Sequence, residues 1–166
     1  MPRMSGLVAD MEYEKFNLLI RKSFDLLLSF VLPVIVITTI LAKHMIFILS
    51  GSGYEGAIIP MQIIMPLLLV VGVAQIIAIQ VLMPLKHDKT ILVASIIGAV
   101  VGITANIIIV KKMGSMGTAI VLLLSEVIVT TYYIIYAFKN NIVKYPIRKI
   151  SKHLITIIPY IIINII

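Results

Sequence analysis

"GTAIVLLLSEVIVTTYYIIYAF", residues Gly117–Phe138, is twenty-two residues long and holds one ionisable acid, Glu126. About 20 apolar residues in a row are what a helix needs to cross a bilayer. The stretch therefore reads as a membrane span with a carboxylate in its middle. On insertion scales an acid at a helix centre costs roughly 2.5–3.5 kcal/mol, and each Leu, Ile, Val or Phe returns about 0.3–0.6. The surrounding aliphatic residues are numerous enough to carry Glu126 into lipid.

The rest of the chain agrees on the solvent. Hydrophobic residues make up 61% of 166, charged residues only 13%, and mean hydropathy is +1.15. Soluble domains are about half apolar and about a quarter charged, so a globule of this composition could not cover itself with polar groups. Three further spans follow: Phe24–Ala42, a span within Ala57–Leu85 that contains Pro60, Pro66 and Pro84, and Thr90–Val110. A fifth apolar run, Leu154–Ile166, is too short to cross. The fold class expected is all-α integral membrane, a bundle of four transmembrane helices plus a truncated fifth. Its divisions are residues 1–23 as a cytoplasmic loop and amphipathic lead-in, 24–138 as the four-helix part, 139–153 as a basic cytoplasmic loop, and 154–166 as the start of the fifth span. The first 22 residues carry charges of both signs and no apolar core, which excludes a signal peptide.

Basic residues orient the bundle. Taking alternate loops together, eleven Lys and Arg fall on the side of the N-terminus, the "KHDK" loop (86–89) and the segment after Phe138, against three on the other side. By the positive-inside rule that side is cytoplasmic. The net charge of +7 is thus a membrane signature, and no nucleic-acid partner is expected. Between the first two spans, residues 44–49 read as a short interfacial helix on the outer face, ended by Gly51 and Gly53.

The polar residues within the spans are the candidate functional ones. Thr130 lies one helical turn beyond Glu126 and Tyr133 two turns beyond, making a polar stripe. The acid either lines a cavity and titrates, or is a packed acid bonded to a neighbouring helix. Gln75 and Gln80, five apart, point to diverging helix faces, and either is a cavity or a packing residue. Gly98, Gly102 and Asn106 recur every four residues, a spacing that lets a second helix approach and an Asn bond across the contact. Pro33 and Pro66 are the hinge or kink candidates. The three His residues have no ligand-like spacing and read as loop residues. Cysteine is absent, and no metal cluster, nucleophilic triad or phosphate loop is present, so no enzyme, metal or cofactor is expected.

A set of short motifs in order resembles one family. "PRMS" (2–5) precedes a proline-containing helix (Pro33). An aliphatic stretch and Gly-x-x-Tyr turn follow, "FILSGSGYEGA". A Gln-x-Leu (Gln80, Leu82) precedes the charged "KHDK" loop. A helix with Gly98 and Asn106 is followed by Gly114 and Gly117, which open a helix carrying Ser125 and Glu126. Over residues 2–138 this is similar to the Wzx-type polysaccharide flippases of the multidrug/oligosaccharidyl-lipid/polysaccharide exporter superfamily. The resemblance implies part of the second lobe of a two-lobe exporter fold, located in the bacterial cytoplasmic membrane with a cytoplasmic N-terminus. It implies flipping of polyprenyl-diphosphate-linked oligosaccharide for capsule, O-antigen or exopolysaccharide synthesis. The partners implied are the bilayer, the lipid-linked oligosaccharide, and the remaining lobe or the glycan polymerase machinery. Arg3 and Ser5 would contact the headgroup or pin the loop. Since the chain covers only part of such a fold, a fragment inactive alone is expected. The alternatives are a stand-alone oligomeric exporter or channel, a membrane scaffold, and a multidrug exporter of the same superfamily.

Overall fold

The computed structural model describes residues 2–140 and 142, and among them every regular element is helical. The apolar run 154–166 and nearly all of the basic segment 139–153 lie outside the described residues. A short helix α1 (Pro2–Ala9) is followed by α2 (Tyr13–Ser50). Then come a 3-10 turn (Glu55–Ala57), α3 (Ile58–Ile64), α4 (Leu67–Gln75) and a π-helix (Ile76–Leu82), which together form one rod. The long helical element α5 (Asp88–Lys139) completes the fold. Three helical stretches are long and apolar enough to cross a membrane: Tyr13–Ser50, Glu55–Leu82 and Asp88–Lys139.

Residues 1–23, expected as a loop and lead-in, are largely helical. Pro2 occupies the first helical position of α1, where its missing N–H costs nothing. After a turn in which Met11 takes φ 56, α2 starts at Tyr13, well before the span that hydropathy marks. Its buried residues Phe16, Ile20, Phe24 and Leu28 recur every four positions and form one stripe. Glu14, Lys15, Arg21, Lys22 and Asp25 are exposed on the other faces.

The other end of α2 corrects a second expectation. Residues 44–49 are not a separate interfacial helix but the last turns of α2. Nothing between Ala42 and Ser50 breaks a helix, and the stop comes only at Gly51, with φ 81 and its N–H on the Phe47 carbonyl at 2.9 Å. At 38 residues, α2 is about 57 Å long by helical rise, well beyond a bilayer core of about 30 Å. It also runs through Pro33 as one helix, although that residue donates no bond to the Ser29 carbonyl.

Helix α5 is two helices in one. Gly114 has φ 55 and ψ −130, a conformation open to glycine, and the element folds back there. Residues on either side of the turn meet. Ser125 Oγ donates to the Gly98 carbonyl at 2.8 Å, and a Cβ added at Gly117 would lie 3.1 Å from the Ile109 carbonyl oxygen. The limbs 88–113 and 115–139 are each about 38 Å long.

The core gathers at the end where the start of α2, the π-helix and both ends of α5 converge. Phe16, Ile20, Val81 and Leu82 are fully buried there, joined by Ala94, Tyr133, Ala137 and Met4 of α1. Elsewhere the surface is apolar: Phe30, Ile40, Ile48, Leu92, Ile103 and Ile107 are all more than half exposed. Contiguous exposed hydrophobic surface of this extent marks a face that lipid or another protein would cover.

Candidate functional site: a polar cleft on the helical hairpin

Pro84 contributes to the change of winding at the end of the rod. Its ring would clash with the carbonyl four residues back in an α-helix, that of Gln80, and it donates no hydrogen bond. Over Ile76–Leu82 the helix is widened to π. The Met83 N–H reaches the Ala78 carbonyl at 3.0 Å, five residues back, and His87 reaches Leu82 at 2.9 Å. Such widened segments recur at functional sites.

Four cross-helix bonds position the elements. Thr130 Oγ1 donates to the Val70 carbonyl at 3.3 Å, and Ser23 Oγ to Gln80 Oε1 at 2.7 Å. Gln62 Nε2 donates to the Thr39 carbonyl at 3.1 Å, tying α3 to α2. His87 Nδ1 shares a 3.0 Å hydrogen bond with the Tyr136 hydroxyl, the rings meeting edge to face at 5.5 Å. His87 is therefore a tether between the two ends of α5, beyond its reading as a plain loop residue. Gly72 lets α2 and α4 approach, because a Cβ there would collide with the Leu27 side chain.

Between the rod and the hairpin these contacts leave a cleft of about 390 Å³. Half of its ten lining residues carry polar side chains: Gln75, Ser95, Ser125, Glu126 and Tyr133. Ser95 Oγ donates to the Ile91 carbonyl at 3.0 Å and lies beside the Tyr133 hydroxyl in the cleft wall. Neither a hydrogen bond nor an ion pair ends on Glu126 among the described residues. Among the described residues no Lys or Arg lines the cleft. Carboxylate, amide and hydroxyls together can hold a proton, a cation or water, and are poorly suited to an anion.

The structure brings Glu126, Gln75 and Gly98 together in this cleft and turns the other candidates elsewhere. Thr130 is buried and turned to α4, and Gln80 is turned to α2. Gly98 and Gly102 face the second limb: a Cβ on Gly98 would lie 2.5 Å from Val129, one on Gly102 3.5 Å from Ser125 Oγ. Asn106 is exposed and makes no bond across the contact among the described residues; it lines an open groove with Gly102, Thr118 and Ser125. Pro66 separates α3 from α4. Arg3 and Ser5 lie exposed on α1, a helix where a loop was expected. Ser95 and Ser125 were missed as site residues, although counting outward from a turn at Gly114 places Ser95 beside Tyr133. No group of three or more His, Cys, Asp or Glu is placed to hold a metal among the described residues. Comparison with known proteins returns no matching family model, no matching curated protein and no matching solved structure.

Proposed function

We propose that the chain is a multi-pass membrane protein whose limbs of α5 each cross the bilayer, giving four crossings with α2 and the α3–π rod. It works as part of a flippase for polyprenyl-diphosphate-linked oligosaccharide in a bacterial cytoplasmic membrane, its N-terminus cytoplasmic. The observation that carries the transport reading is the polar cleft with Glu126 within an otherwise apolar helix bundle, since intramembrane acids facing a cavity mark substrate and ion pathways. The substrate reading rests on the ordered motifs from "PRMS" to Ser125–Glu126, and the orientation on the Lys/Arg asymmetry.

The same cleft favours a second reading. An acidic cavity that no Lys or Arg lines among the described residues suits a cation better than a diphosphate, as in a multidrug exporter of the same superfamily. In the flippase the diphosphate would meet basic groups outside the cleft, such as the exposed Arg3, Arg21 and Lys22.

Thermal unfolding of the purified chain separates the two. Stabilisation by a polyprenyl-diphosphate oligosaccharide, and not by polyprenol, supports the flippase reading. Stabilisation by a lipophilic organic cation alone, lost in Glu126→Gln, replaces it with the exporter.

A further inference from the structure

The π-helix has one anchor above it and one in its own last residues. Above it, Val70 is held by Thr130 and Gly72 is wedged on Leu27. At its lower end, Gln80 is held by Ser23, and Val81 and Leu82 are fully buried. Both anchors fix which way their part of the helix faces. An α-helix advances about 100° per residue, and a π-helix less, because each turn takes in an extra residue. With its upper part fixed, an α-wound rod would carry Gln80 away from Ser23 and turn Leu82 to the direction Met83 now takes. Pro84 sits just below and disfavours α-winding as well. The 2.7 Å Ser23–Gln80 bond crosses from α2 and is part-buried.

We propose that the Ser23–Gln80 hydrogen bond is a clamp that holds the rod in its π register, and that releasing it lets Ile76–Leu82 tighten to an α-helix. The tightening rotates the lower rod by about 100°, one residue's worth. Ala78, within the π segment, lines the polar cleft, and Gln75 adjoins it. The change of register therefore reshapes the wall facing Glu126 without any movement of the hairpin. α2 thereby controls the cleft through one side-chain contact. This inference needs the membrane-embedded bundle but no particular substrate.

The native chain has no cysteine, so single cysteines report on it without interference. Leu82→Cys and Met83→Cys would be introduced separately into the full chain in lipid nanodiscs and labelled with a maleimide. The wild-type pattern follows burial: Leu82 is fully buried, Met83 43% exposed. In a Ser23→Ala background, and again with Gln80→Leu, labelling at Leu82→Cys should rise about tenfold while Met83→Cys slows, as a minor register becomes the main one. Combining Ser23→Ala with Gln80→Leu should add nothing further, since each removes the same bond. An unchanged pattern in both backgrounds overturns the clamp, as does equal acceleration at both cysteines, which is loosening without rotation. Ser23→Ala removes only a hydroxyl, so the comparison stands even where Gln80→Leu folds poorly.

Discussion

Two hollows flank the α5 hairpin, of nearly equal volume, about 390 Å³ and about 400 Å³. Both touch Ser125, yet they differ in kind. The first is walled by Gln75 and the small residues Ala74 and Ala78 of the rod, and it holds Glu126 and Tyr133. The second, around Gly102, Asn106 and Thr118, is walled by the two limbs alone. The hairpin provides polar groups on both sides; the rod decides which of them become a site. A polar residue between three helical segments can be shielded from lipid, whereas one on an open two-helix groove is exposed, as Asn106 is.

The largest expected effect is on the first hollow. Glu126→Leu removes the acid and should make insertion of the 115–139 limb easier by about 3 kcal/mol on a translocon scale, measured as the inserted fraction of a reporter. Asn106→Leu should give a clearly smaller gain, and equal gains would erase the distinction between the hollows. Next comes the contact that joins the limbs. Gly98→Ala places a methyl against the stiff, β-branched Val129 and should cost about 1–3 kcal/mol in reversible unfolding in detergent. Gly114→Ala should cost a similar amount, about 1–3 kcal/mol, through its positive φ. Thr130→Val, which deletes the bond to Val70, should cost about 0.6 kcal/mol, the average for such bonds in membranes. Gly102→Ala meets only ordinary contact at 3.5 Å and should stay within about 0.5 kcal/mol. A loss there as large as at Gly98 would mean that the limbs pack more closely than described.

These residues also show what could be read in advance. Long uncharged runs announce apolar helices whatever their packing, so the three membrane-length stretches were visible in hydropathy. Gly98 and Gly102 advertised a close helix contact by spacing alone. Which helix they meet depended on the fold-back at Gly114, and that in turn decides that Ser95 and Ser125 join Glu126. The ends of α2 were hidden for a different reason: hydropathy marks what suits lipid, while a helix continues until a breaker such as Gly51 stops it. The π-helix was the least legible element. Its cause combines Pro84, readable locally, with the anchors at Ser23 and Thr130, which exist only once distant segments are packed.

The central claim is a lipid-embedded hairpin whose inner face is wet and whose outer face is not. It is tested most directly by Ser95→Cys and Ile103→Cys, labelled in membrane vesicles with a charged, water-soluble thiol reagent. Ser95 lines the cleft, and Ile103 is 64% exposed on the same limb. The account predicts labelling at Ser95→Cys and none at Ile103→Cys, because exposure at residue 103 is exposure to lipid. Equal labelling at both would contradict the membrane placement, and protection of both would make Glu126 a dry, packed acid.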